Sequence, residues 1–148
     1  MKSIFEKKVR DGFIARINLL NENSTAQWGK MNVYQMTKHC VLCDEMYLGK
    51  TKYRRNILGF LFGKIALNKL LKNEKPKERN APTKSNFKNL EITGNLQFEK
   101  EKWIALIKEY DAYCQSDFIH WFYGKMTKEQ IGYSVYKHID HHLRQFNV

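Results

Sequence analysis

The stretch YKHIDHHLRQF, residues 136–146, holds three of the five histidines of the chain. An imidazole near neutral pH is at once a metal ligand, a proton carrier and a packing group, so its neighbours decide its use. His138 and His142 stand four residues apart. On a helix they share a face with Ile131, Val135 and Phe146, because steps of three and four residues return to nearly the same azimuth. Two imidazoles at this spacing can present nitrogen to one ion, the geometry used by helical H-x-x-x-H zinc sites. His141 falls about 60° to the side of His138 and is expected at the rim. A third nitrogen must come from another element, and the candidate is His39, which shares a helical stripe with Met36, Cys40, Cys43 and Tyr47. Three neutral imidazoles on two helices leave coordination positions for water or substrate, the pattern of a catalytic rather than a structural site. Each could instead be a hydrogen-bonded core residue, yet three on apolar faces, two at ligand spacing, favour a divalent ion. Zinc, nickel, iron and copper all accept such a donor set, so the spacing does not select the metal.

Other reactive side chains carry weaker signals. Cys40 and Cys43 form a C-x-x-C, but a redox pair of that kind opens a helix after a strand, and no strand precedes this one. Buried small apolar residues are the expected reading, with a soft-metal site joining His39 as the alternative. Cys114 is expected to be structural. His120, in SDFIHWFYG, sits on an aromatic loop before the last helix; it could carry protons or orient a ligand, or it could pack against Trp121. Trp28 and Tyr34 belong to the core or to the same mouth. A di-iron carboxylate site needs Glu-x-x-His pairs on the helices, and none occurs. Gly-rich phosphate loops and nucleophile elbows are also missing from the sequence.

These residues need helices to hold them. Ser3 with Glu6 reads as a capping box, followed by Val9, Phe13, Ile17 and Leu20 at helical spacing, so a first helix should run to about Leu20. Asn32 with Gln35, flanked by Met31 and Met36, announces a second from Val33 to Leu48. A third covers Ile57 to Lys72, apolar over more than half its circumference and therefore in need of cover on a wide face. Residues 73–95 turn polar and read as a long connection. Periodicity returns through Phe98, Trp103, Ile104 and Ile107 towards Tyr110 or Tyr113, and the segment around Gly124 interrupts it. Thr127 with Gln130, and Met126 with Ile131, then start a last helix that reaches about Phe146. The sum is an all-α chain, expected as one domain: a four-helix bundle with an extra mid-chain helix and a long crossover loop.

Composition narrows the partners. The formal charge of +11 attracts nucleic acid, anionic lipid or acidic metabolites without choosing among them. It is regional, with Lys52, Arg54, Arg55, Lys64, Lys69 and Lys72 followed by Lys75, Lys77, Arg79 and Lys84. Most such side chains are simply solvated, so nucleic acid is not the expected partner. The apolar run Ile57–Leu67 is too short to cross a membrane and is broken by Lys64. Three cysteines and no secretory leader pattern fit a reducing, cytoplasmic setting.

The pattern H-x-x-H-H-x-x-Q, here His138, His141, His142 and Gln145, together with a second-helix histidine, His39, resembles the signature of the DinB/YfiT-like superfamily of metal-binding four-helix bundles. The segments WGKMNVYQMTKHC and HWFYGKMTKEQIGYSVYKHIDHHLRQF are more similar to a branch of that superfamily whose function is unknown, and cover roughly a third of the chain. The resemblance implies that His39, His138 and His142 bind a divalent metal, with Gln145 behind them. It also implies activation of a thiol or of water, as in the thiol-dependent S-transferases and isomerase among the relatives. The expectation is a metal-dependent thiol transferase or hydrolase acting on a small molecule, with a low-molecular-weight thiol as one substrate and His120 and His141 as catalytic candidates. The alternative is a non-enzymatic module that uses the basic mid-chain surface for an acidic partner, nucleic acid or a membrane surface. A homodimer through the apolar face of residues 57–71 is compatible with both.

Overall fold

Every described helix after the first begins where an Asn or Thr side chain takes up backbone N–H groups that a first turn leaves unpaired, while the first begins at Glu6 without a side-chain cap. A computed structural model describes residues 1–79 and 91–148 and is mainly helical. Among the described residues there are five α-helices: α1 (Lys7–Leu19), α2 (Val33–Tyr47), α3 (Ile57–Leu71), α4 (Leu96–Glu109) and α5 (Lys128–Gln145). Reciprocal capping boxes open α2 at Asn32 with Gln35 and α5 at Thr127 with Gln130. Asn56 and Asn95 cap α3 and α4 through their side chains.

Two local expectations change. Ser3 and Glu6 do pair, the Ser3 N–H donating to Glu6 Oε1 at 2.8 Å, but they close a turn ahead of the helix, and α1 starts only at Lys7. The hydrogen bonds show the difference: the Ser3 Oγ accepts from the Phe5 N–H, the Ser3 carbonyl accepts from the Glu6 N–H, and the N–H of the buried Ile4 donates to the Gly132 carbonyl of α5, which ties the segment down as a turn. The all-α expectation is also incomplete. Between α4 and α5 the chain makes a 3-10 turn, Tyr110–Ala112, and then a small antiparallel hairpin of β1 (Ile119–His120) and β2 (Gly124–Lys125). Gly124 closes the hairpin at φ 81°, a conformation that costs glycine nothing.

Helix α2 packs on α4 and α5, and α1 packs on the same two, so the core lies among these four elements. Trp103, Ile107 and Tyr110 from the α4 side meet Met36 and Val41 of α2, Ile17 of α1, and Ile131, Val135, Ile139 and Leu143 of α5. Phe98, which the periodicity assigned to that core, is instead exposed on the outer side of α4. Buried polar groups stitch the helices. Asp44 of α2 accepts from Trp103 Nε1 and Tyr110 Oη, both at 2.8 Å, while Lys100 Nζ caps α1 by donating to the Leu20 carbonyl at 2.5 Å. Lys137 of α5 donates to the carbonyls of Leu70 and Asn73 and so holds the end of α3.

The mid-chain helix α3 stands apart from that core. It rests on α5 and β2 through Gly59, Gly63 and Leu67, a seam one residue wide. A methyl group at either glycine would overlap the Phe122 carbonyl, so these two positions admit the backbone contact. The described parts of the connection after α3, residues 73–79 and 91–95, contain neither helix nor strand; Lys84 of the basic run lies outside the described residues. No helix of the described chain is long and apolar enough to cross a membrane.

Candidate metal centre

His39 comes from the middle of α2 and His138 and His142 from successive turns of α5, two helices held face to face by the core beneath them. Their apolar neighbours force the inward orientation: Met36 and Cys40 are buried around His39, and Val135 and Ile139 around His138. The three imidazoles converge. One nitrogen from each lies within 4.8 Å of the others, and His39 Nε2 and His138 Nε2 are 3.0 Å apart. Ring centroids are separated by 5.1 Å for 39–138, 4.8 Å for 39–142 and 4.7 Å for 138–142. An ion about 2.1 Å from each nitrogen needs them roughly 3.0–3.4 Å apart. The first pair already has that spacing, and the third nitrogen, within 4.8 Å of both, has further to come.

The protonation state also suits a ligand. Burial pushes the pKa of His138 and His142 well below the ordinary imidazole value, and the neighbouring imidazoles and the Lys77 ammonium push the same way. Both rings are therefore neutral at physiological pH, the form that offers a lone pair. Gln145 fixes the tautomer of one of them. Its Oε1 stands 2.9 Å from His142 Nδ1, and its Nε2 donates to the Trp28 carbonyl at 2.6 Å, so the amide oxygen faces the ring. An amide oxygen can only accept, which puts the proton on Nδ1 and leaves Nε2 bare towards His39 and His138.

Cys43 approaches the trio, its Sγ 3.8 Å from His39 Nε2. Burial and the nearby Asp44 raise its pKa strongly, and Cys40 is raised in the same way, so both remain thiols rather than thiolate ligands. Cys40 packs against Met36 Sδ at 3.8 Å. Cys114, expected to be structural, is exposed, because the chain leaves the 3-10 turn before reaching it.

The two remaining histidines separate. His141 is buried rather than at the rim: its ring meets the edge of Trp28 at 5.6 Å, neighbours His142 at 5.1 Å and hydrogen-bonds the Lys77 backbone. The connection after α3 covers the side of the helix that a helical wheel alone leaves open. His120 sits on β1 and is not one of the converging three; it lies among Tyr47, Phe118, Trp121 and Tyr123, and stacks on Tyr123 at 4.5 Å. Its Nδ1 accepts the backbone N–H groups of Phe122 and Tyr123, both at 3.1 Å, so it closes the hairpin turn. Burial lowers its pKa to about 3. Tyr34 is a core residue whose hydroxyl donates to Glu91.

One group beside the site escapes a reading of the sequence. Lys77 comes from the polar connection, is half-buried, and its charge reaches His138, His141, His142 and also His120, while burial lowers its own pKa. One lysine in a run of lysines carries no sequence mark of this role. Trp28, assigned from the sequence to the core or the mouth, contributes its carbonyl to Gln145, and its buried Nε1 has no hydrogen-bond partner among the described residues.

Compared with known proteins, the chain matches over residues 6–148 the model of a family described as "Protein of unknown function (DUF1569)", and it belongs to that family. No curated protein and no solved structure matches it.

Proposed function

We propose that this member of a family of unknown function binds one divalent metal ion, zinc, nickel or iron, through His39, His138 and His142. We further infer an enzyme that acts on a small molecule as a thiol transferase or hydrolase. The observation that carries the reading is the convergence of three imidazole nitrogens within 4.8 Å, with the His142 tautomer set by Gln145. In this reading α1, α2, α4 and α5 form a four-helix bundle of the DinB/YfiT-like kind, with α3 as the added helix.

When bound, such an ion supplies Lewis acidity, lowering the pKa of a coordinated water or thiol and polarising a substrate. The protein's own residues do the rest. Gln145 holds His142 with its lone pair inward, and His138, the one member of the trio with partial exposure, marks the side from which a ligand enters. Lys77 sets a positive charge beside that side, and the unpaired Trp28 N–H gives a donor next to His141. These features suit a substrate with an anionic or strongly accepting group, and a thiolate or hydroxide developing nearby. His141 is positioned to orient such a group. His120, committed to the hairpin, is not.

The experiment is to assay protein purified without an affinity tag and supplied in turn with zinc, nickel and ferrous ion. Loss of a low-molecular-weight thiol in the presence of an electrophile, and hydrolysis of small esters and amides, are the readouts. Turnover should disappear after chelation and in His142→Ala, and return on re-addition of one metal to the unsubstituted protein. Equal turnover in chelated protein would exclude a metal-dependent reaction.

A further inference from the structure

Helix α3 buries only Gly59, Gly63 and Leu67. The remainder of its first ten residues is almost entirely apolar, yet Ile57, Leu58, Phe60, Leu61, Phe62 and Ile65 leave between 53% and 79% of their surface exposed. A contiguous apolar surface of this kind on a folded protein marks a contact with something else. Its setting says what. From Met46 to Asn73 the sequence has no acidic residue, whereas Lys50, Lys52, Arg54 and Arg55 precede the helix and Lys64, Lys69 and Lys72 lie along it. The cations bracket the apolar turns. Arg55 lies 4.0 Å over the Phe60 ring, covering one face of it, and Lys64 bends back to the Lys125 carbonyl at 2.8 Å; Phe60, Leu61 and Phe62 remain exposed.

We propose that α3 docks this protein on an anionic lipid bilayer, its Phe60–Leu61–Phe62 tip inserted at the headgroup boundary and its flanking lysines and arginines paired with lipid phosphates. Charge decides between this occupant and a second copy of the chain. A two-fold contact through the same face would bring the basic residues of one α3 against those of the other, and among the described residues only two carboxylates, Glu109 at Lys50 and Glu78 at Lys69, pair with these seven cations. An anionic leaflet offers both a hydrophobic layer and a complementary field. The helix has 15 residues, too few to span, so the attachment is peripheral. The proposal is independent of the metal centre.

The test is flotation of the full chain with vesicles of phosphatidylcholine alone and with about 30% phosphatidylglycerol, at low and at physiological salt. Binding is expected only to the anionic vesicles, to weaken as salt rises, and to fall at least about tenfold in Phe60→Ser/Leu61→Ser, with a smaller fall in Lys52→Gln/Arg54→Gln. All four positions are exposed, so both variants should keep the far-ultraviolet circular dichroism of the parent protein. Failure to bind anionic vesicles overturns the proposal, as does equal binding by the Phe60/Leu61 variant. Sedimentation equilibrium in the absence of lipid supplies the competing outcome: a dimer that the Phe60/Leu61 variant dissociates would assign the face to self-association instead.

Discussion

Gln145→Met is the substitution that separates the polar support of the centre from its shape. Methionine keeps an unbranched side chain of similar length and deletes both polar ends, so the packing around α5 survives. Two partners are stranded: the buried His142 Nδ1–H, now 2.9 Å from an acceptor, and the part-buried Trp28 carbonyl, now 2.6 Å from a donor. An unpaired buried group costs about 1–3 kcal/mol, so the metal-free fold should lose on the order of 2–4 kcal/mol, within the reserve of a small domain. Metal affinity should fall as well, by about 10–100-fold, because His142 loses the contact that holds its Nε2 lone pair towards the other imidazoles. Gln145→Glu makes the cause visible. Its carboxylate still accepts from Nδ1 but cannot donate to the Trp28 carbonyl, so it should lose stability while holding metal affinity within about threefold of the parent. Urea unfolding of metal-free protein gives the first quantity, and competition with a chromophoric chelator the second. If Gln145→Met bound metal as tightly as the parent, or Gln145→Glu lost as much affinity as Gln145→Met, the tautomer argument would be refuted.

Other substitutions probe the surroundings. In His120→Phe the Phe122 and Tyr123 N–H groups lose their acceptor, so the fold should lose about 2–4 kcal/mol in urea unfolding while metal stoichiometry stays unchanged; a specific loss of metal would return His120 to the site. Burial raises the Asp44 pKa from 3.8 to about 7, against the opposing pull of its Tyr110 and Trp103 bonds, so its contribution to stability is full below pH 3.8 and lost as pH rises through about 7, amounting to about 4 kcal/mol. Asp44→Asn, whose amide can still accept from Trp103 and donate to Tyr110 Oη, should match the parent near pH 4 and exceed it increasingly towards pH 8; a pH-independent difference contradicts this. The buried neutral histidines act oppositely, since the stability that His120 supplies above pH 6.5 is lost as pH falls towards about 3, a loss that His120→Phe should reduce. Maleimide should label Cys114 in the native protein at least about a hundredfold faster than Cys40 or Cys43, and Cys43→Ala should bind metal as the parent does.

Much of the scaffold is written locally. Asn32 with Gln35 and Thr127 with Gln130 are contacts within one turn, so four residues suffice to fix where α2 and α5 start, and a fixed start determines which way His39, His138 and His142 face. Their meeting across two helices is less local, yet the apolar stripes around them leave one inward direction. What the sequence hides depends on distant partners. The Ser3–Glu6 pair has the residue types of a capping box, and the distant bond from the Ile4 N–H to the Gly132 carbonyl is what accompanies its use as a turn. The β1–β2 hairpin is two residues a side and is held by His120 accepting from its own turn, a pattern too short for any periodicity. His141 is covered because the connection after α3 folds over it, and that same connection brings Lys77 to the centre. Phe98 carries an apolar residue on the outside of α4, which spacing alone cannot distinguish from the inside.

The central claim is that three imidazoles share one ion, and metal content measures it most directly. Protein without a tag, dialysed against micromolar zinc, nickel or ferrous ion and analysed by plasma mass spectrometry, should retain about one ion per chain with one of these metals. His39→Ala, His138→Ala and His142→Ala should each release it, while His120→Phe keeps it. A parent protein that retains no ion under any of the three conditions, or a His39→Ala variant that retains as much as the parent, would mean that the trio is a hydrogen-bonded packing cluster and not a metal centre.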